Sequence, residues 1–409
     1  MRLLEGAVRP YAWGSRTAIA TLSGRPSPTP HPEAELWMGA HPANPARLLG
    51  PEGSRSLLDA LGDAPERQLG TRSRAAFGDR LPFLLKLLAA DEPLSLQAHP
   101  SMSQAEEGYE REERLGVPLD SPIRNYRDRN HKPELVVALT EFHALAGFRD
   151  PARTVEFLSA LDVPELEPHI GLLRGQPDAA GLRALFTTWI TLPQPVLDAL
   201  VPAVLDGCVR HLSAGDAPFR DEVRTALELG ETYPGDAGVL ASLLLNRVTL
   251  EPGQGLYLAA GNLHAYLQGM AVEIMANSDN VLRGGLTPKH VDVAELLRVL
   301  DFSAVDATAL TGTPTDAGEF VYRTQAPEFR LSRIELDVTA EDRDAAVAVD
   351  DDGPQILLCT LGTVIVRCAD QVLELSAGQS LWIPAADPGA VVKAEIGRAQ
   401  VFRATIGPR

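Results

Sequence analysis

The 409-residue sequence predicts a mainly β chain that carries one helical insertion and repeats a single β-barrel unit. Three observations predict it. Residues 34–147 have strand and turn texture, clearest in "LPFLLKLLAADEPLSLQAHP" (81–100) and "PELVVALTEFHALAGF" (133–148). From about 150 to 246 the apolar spacing becomes helical. Finally, "LEPGQGLYLAAGNLHA" (250–265) and "LSAGQSLWIPAADPGA" (375–390) align without gaps.

The first block therefore reads as short strands. The second contains "ARTVEFLSALDV", "AGLRALFTTWIT", "VLDALVPAVLDGCVRHL", "FRDEVRTALELGETY" and "AGVLASLLLNRV", with Pro, Gly or Asp at the breaks, as expected of a helical insertion. Strand patterns resume at "VTLEPGQGLYLAAGNLHAYLQG", and the last 80 or so residues look all-β. In the aligned pair, Leu, Gly-Gln, a Leu-aromatic-aliphatic strand core and Ala fall in register, giving a turn, a buried strand and another turn twice over. His264 corresponds to Gly389 and Asn262 to Asp387, so only the first copy can bind anything through this histidine. The expected domains are 1–149 with 247–318 as the first barrel, 150–246 as the helical insertion and 319–409 as the second barrel.

Bulk chemistry narrows the function. A formal charge of −18 and no evident basic patch argue against nucleic acid or an anionic membrane surface as partner. The opening "MRLLEGAVRPYAWGS" lacks a signal-peptide apolar run, and no segment has the length of a membrane span, so a cytoplasmic location is expected. Cys208, Cys359 and Cys368 are widely spaced and form no CxxC, which leaves N and O atoms as the ligands of any metal. No apolar surface stripe is evident, and a monomer is expected.

Gln97 and His99 stand two residues apart in a strand-like run and share a face. Glu134 in "NHKPELVVAL" and His264 in "AAGNLHAY" complete a candidate set of two imidazoles, one carboxylate and one amide, which suits a borderline divalent ion such as Zn²⁺. Such a site carries about one net positive charge and suits an anionic or hydroxylated guest. Taken alone the spacing is weak, because histidines beside strands are more often hydrogen-bonded core residues. Lys86 interrupts an apolar run and needs a pocket or a carboxylate partner. Lys132 shares parity with Glu134. Glu273 follows two apolar strand residues, while Asp279, Arg283 and Lys289 lie in a Gly- and Pro-containing loop of the kind that binds ligands.

With these residues assembled, the chain resembles the type I mannose-6-phosphate isomerases, zinc enzymes of the cupin fold. The matching segments are "YAWGS" (11–15), "AELWMGAHPANPA" (34–46), 81–100, "NHKPELVVALTEFHALAGFR" (130–149), "YLAAGNLHAYLQG" (257–269) and "NSDNVLRGGLTPKHVDV" (277–293). The resemblance implies two cupin-type jelly-roll barrels, one Zn²⁺ per chain held by Gln97, His99, Glu134 and His264, and interconversion of mannose 6-phosphate and fructose 6-phosphate. It further implies an active-site role for Arg283. For the phosphate the expected groups are Lys289, Lys86 and Ser95; for the proton shuttle, Glu273, Lys132, His131 and Asp279 remain open. Two alternatives are a related isomerase acting chiefly on glucose 6-phosphate and a sugar-binding cupin without catalysis.

Overall fold

The computed structural model of the chain describes every residue except 52, 216–217, 317, 339–345, 350–351, 395–396 and 408–409. Its organising element is the strand His264–Ala276, which belongs to two faces of one folded sheet. The half from Gly269 to Ala276 lies between Phe83–Ala90 and Glu134–Ala138, both antiparallel. The half from His264 to Gln268 pairs instead with Phe142–Phe148 and with Leu96–Ala98. Gly269 stands at the corner with φ +116°, where an added Cβ would come within 2.5 Å of the Glu141 carbonyl oxygen. Only glycine fits this bend.

Strand parity explains how an almost uninterrupted apolar run can still carry a lysine. Every residue of Phe83–Ala90 is buried. Leu85, Leu87 and Ala89 join Leu135, Val137, Val272 and Ile274 in a core shared with Ile356, Leu358, Trp382 and Phe402 of the C-terminal region. Leu88 and Ala90 lie in a separate cluster with Val136, Ala138, Tyr266 and Ala271, inside the first β unit. Lys86, Glu134 and Glu273 share parity with this second set and so face the same interior.

Between Pro151 and Ser242 the chain is helical, as its spacing predicts, and then returns to the sheet at Leu245–Leu250. The first of these helices is capped by Asp150, which accepts the Arg153 N–H at 3.0 Å. Phe157, Phe186, Trp189 and their neighbours form a core continuous with Leu96, Leu263 and Leu282 beneath the site strands. Among the described residues, no single helix is long and apolar enough to cross a membrane.

The C-terminal region stacks the sheet Ala346–Val349, Ala390–Ala394, Thr363–Cys368 and Gln371–Ser376 over a larger one, with an aliphatic core between them. The repeated turn is present in both copies: Gly253 and Gly378 have φ +86° and +84°, each just before a buried strand, Gln254–Leu258 and Ser380–Ile383. Two expectations need correction. Arg2–Glu5, Arg47–Gly50 and Gly53–Ser56 belong to the C-terminal sheet, with Arg2–Glu5 pairing Ser380–Ile383, so the N-terminal segment does not stay within the first unit. And 34–147 is not only strands: Leu57–Asp63, Pro65–Phe77 and Met102–Arg114 are helices. The last begins at a capping box in which Ser101 and Gln104 satisfy each other's backbone N–H groups.

Candidate metal centre

Three strands deliver the centre. Glu134 and His264 are the first residues of their strands, and His99 follows Leu96–Ala98, whose Gln97 lies in register with His264 on one side and Arg283 on the other. His99, Glu134 and His264 are all buried, and their donor atoms lie within 4.8 Å of one another. Each histidine is held from behind by a backbone carbonyl: His99 Nδ1 donates to Asn280 O at 2.8 Å and His264 Nδ1 to Asn262 O at 3.0 Å. That fixes the tautomer and leaves each Nε2 as a lone pair.

Those lone pairs point at a carboxylate. His99 Nε2 lies 3.2 Å from Glu134 Oε1 and His264 Nε2 lies 3.4 Å from Oε2. Burial, helped by Lys132, pushes the His99 imidazole down to about 4, so it is neutral at pH 7. A neutral nitrogen lone pair facing an oxygen lone pair is repulsive, and His99 Nε2 accordingly has no hydrogen-bond partner although it is buried. A cation between them removes the conflict. Around a tetrahedral zinc with bonds near 2.1 Å, donor atoms sit about 3.4 Å apart, which matches both contacts. Gln97, its amide nitrogen donating to Ser95 Oγ at 3.3 Å, lines the same space. The residues present fit zinc.

A network of charges surrounds Glu134. Lys132 Nζ lies 3.1 Å from its Oε1, and the Tyr266 hydroxyl sits 3.5 Å from Oε2 while donating to Glu273 Oε1 at 2.9 Å. Lys86, the cross-strand neighbour of Glu273, reaches its Oε2 at 2.8 Å and Glu35 at 3.7 Å. Burial lowers the Lys86 proton affinity, but Glu273, Glu35 and Glu134 more than offset it and hold it above the ordinary lysine range. Burial pushes the Glu273 carboxyl up, and Lys86 only partly offsets it. Burial also opposes ionisation of Glu134, yet the neighbouring Lys132 ammonium keeps its carboxyl well below the usual range. Fully ionised, the three carboxylates outnumber the two ammonium groups by one charge; a divalent ion turns that deficit into a single positive charge.

The network opens into a cavity of about 570 Å³. Its lining also carries Arg127, Arg283 and Lys289. Burial and the neighbouring Arg127 lower Arg283, and burial, Arg283 and Arg127 lower Lys289, so these like charges are crowded together. An anion placed here relieves that crowding. Ser95 and Thr287 add hydroxyls, and Asp279, 3.3 Å from His41, occupies the rim.

Of the residues expected from the sequence, Gln97, Glu134, His264, Lys86, Ser95, Lys132, Glu273, Asp279, Arg283 and Lys289 line this cavity, and His99, buried, lies against the lining residue Glu134. His131 does not. In its extended segment it alternates with Lys132, faces the C-terminal region and pairs with Glu328 Oε1 at 2.7 Å, which corrects its expected place among the proton carriers. Sequence reasoning missed Glu35, Arg127, Tyr266 and Asn280. Tyr266 was findable, two residues beyond His264 on one strand, and Glu35 was an acid among apolar strand residues. Asn280 has no such signal: its side chain accepts from Arg127 N at 2.7 Å and donates to Asn130 O at 2.8 Å, tying together the two loops behind His99.

A family model for "Phosphomannose isomerase type I, catalytic domain" matches residues 1–151. A protein of Escherichia coli (strain K12) named mannose-6-phosphate isomerase is 38% identical over 404 residues, covering 98% of this chain and 99% of that one. The Homo sapiens protein of the same name is 32% identical over 426 residues, covering 98% and 97%. Among solved structures, a zinc-bound holo mannose 6-phosphate isomerase matches with a TM-score of 0.89 at 34% identity, covering 100% of this chain and 99% of that one. A form bound with zinc and yttrium matches at 0.88 and 35%, with both chains covered fully.

Proposed function

The chain belongs to the type I phosphomannose isomerases, and from that premise we propose that it interconverts mannose 6-phosphate and fructose 6-phosphate at a centre made by Gln97, His99, Glu134 and His264. One observation carries the reading: a buried His99–Glu134–His264 cluster with an orphaned nitrogen adjoins a cavity that Arg127, Arg283 and Lys289 also line. Zinc, when bound, supplies a Lewis acid that orients and polarises the sugar oxygens.

The remaining work falls to side chains. Lys289 and Arg127 take the phosphate dianion, with Ser95 beside them; Lys86 lies too deep, between Glu273 and Glu35, and acts instead on Glu273. In the open-chain sugar a base removes the C2 proton of the aldose and returns it to C1, while the O2 proton passes to O1, giving the ketose with no redox partner. Glu273 is the best-fitting carrier, being a cavity-lining carboxyl raised by burial toward working pH and oriented by Lys86 and Tyr266. Lys132 and Asp279 also line the cavity and are the alternatives. Arg283 stabilises the enediolate charge from the strand next to Gln97.

We further propose that both β units are cupin-type jelly rolls, the second serving as a support whose aliphatic interior carries no ligand set among the described residues. The helical region forms one unit of its own, and the C-terminal unit takes in the strands Arg2–Glu5, Arg47–Gly50 and Gly53–Ser56. A monomer in the cytoplasm completes the reading. Its test is a substrate comparison: mannose 6-phosphate turned over far faster than glucose 6-phosphate supports it, and the reverse preference removes it.

A further inference from the structure

Building on the reading that Lys289 and Arg127 receive the phosphate, we propose that Asp236 of the helical region is the positioning residue for that anion-binding edge. Its carboxylate reaches across to the loop that follows Arg283. Oδ1 accepts the Leu286 N–H at 3.0 Å as well as the Gly238 N–H of its own turn at 2.7 Å, and Oδ2 accepts the Thr287 N–H at 3.2 Å. Thr287 Oγ1 then accepts the Lys289 N–H at 3.1 Å. A continuous chain of hydrogen bonds thus runs from the helical region to the backbone of Lys289.

The loop has a conformation that needs this hold. Leu286 is a non-glycine residue with φ +56°, in the left-handed region that disfavours branched side chains, and its side chain is buried in the helical region's core. Before it, Gly285 has φ +120° and packs directly on Gly238: a Cβ on Gly285 would lie 2.6 Å from Gly238 Cα, and one on Gly238 would lie 2.6 Å from Leu286 N. Two facing glycines let the carboxylate approach both N–H groups.

The same turn also grips the other side of the cavity. Asp236 N donates to Tyr233 O at 3.1 Å, and the cavity-lining Tyr233 hydroxyl donates to Pro93 O at 2.9 Å, two residues before Ser95. The turn Tyr233–Asp236 therefore spans the segments bearing Ser95 and Lys289, and it sets their separation. Asp236 itself touches neither the metal ligands nor the cavity cations by any hydrogen bond in this network.

The test measures KM and kcat for mannose 6-phosphate, inhibition by inorganic phosphate and zinc content in Asp236→Ala, Asp236→Asn, Gly285→Ala and Lys289→Ala. Losing the two charge-assisted hydrogen bonds to Leu286 and Thr287, together with the one to Gly238, predicts about a tenfold rise in KM and in the phosphate inhibition constant for Asp236→Ala, with kcat reduced much less and zinc retained. Asp236→Asn keeps one carbonyl acceptor and predicts a smaller rise; Gly285→Ala predicts the alanine pattern. Unchanged phosphate inhibition in Asp236→Ala overturns the inference, as does a fall in kcat with unchanged KM. Should that variant fail to fold, Asp236→Asn decides by the same criterion. Phosphate inhibition unaltered in Lys289→Ala overturns the phosphate assignment itself; inhibition weakened there but normal in Asp236→Ala overturns only the role of Asp236.

Discussion

Replacing Lys86 by Met removes the ammonium while keeping most of the stem, and it isolates the electrostatics of the buried network. Its Nζ lies 2.8 Å from Glu273 and 3.7 Å from Glu35, with 7% of the side chain exposed. At an effective dielectric near 20 the shorter contact alone is worth about 6 kcal/mol gross, against a desolvation penalty of several kcal/mol for the lysine. Removing one partner of a buried pair costs about 3–5 kcal/mol, because the carboxylates that remain have lost their counter-charge.

The pH dependence separates this from lost packing. Lys86 is raised in the folded chain, so its own contribution is fully present below the ordinary lysine range and constant from pH 5 to 8. In the variant, Glu273, already raised by burial, rises further. A carboxyl raised on folding binds its proton more tightly in the folded state, so stability falls as pH climbs from its unfolded value through its folded one. The gap between the parent chain and Lys86→Met should therefore be smallest near the ordinary carboxylate range and widen as pH rises above it, measured by urea unfolding of the zinc-loaded proteins. Adding Glu273→Gln should recover part of the loss, since Glu273 is the nearest uncompensated charge. A gap below about 1 kcal/mol, or one that does not vary with pH, would refute the reasoning.

Three other substitutions probe the site. His99→Ala should lose zinc and turnover together, since its Nε2 faces Glu134 with no other partner; metal analysis beside the rate checks this, and a metal-free but fully active variant contradicts it. Arg283→Ala should lower kcat by about 10²-fold or more with zinc intact, and unchanged turnover removes it from the catalytic set. Lys289→Ala should chiefly raise KM for the phosphorylated sugar, by about tenfold, with kcat little altered.

The candidate cluster was legible because strand geometry is local. Gln97 and His99 share a face by their spacing, and Lys86, Glu134 and Glu273 are charges that apolar patterning cannot explain unless they meet. The same rule, applied one residue further, would have turned His131 away from Lys132 and Glu134. The helical region announced itself through its spacing, and the helix Met102–Arg114 through the Ser101 and Gln104 capping box that went unread. Pairing between distant strands carries no comparable signal: nothing local in Arg2–Glu5 says that it will lie beside Ser380–Ile383. Arg127 and Asp236 were hidden for a related reason. Each sits in a turn without periodicity, and each acquires its role only when another segment of the chain arrives next to it.

The central claim is that this buried cluster binds zinc and serves the isomerisation, and it is tested most directly by following fructose 6-phosphate formation from mannose 6-phosphate before chelation, after chelation and after zinc is restored. Activity lost on chelation and recovered with zinc is the predicted result. Full activity in protein shown to be free of metal, or none in folded, zinc-loaded protein, would contradict it.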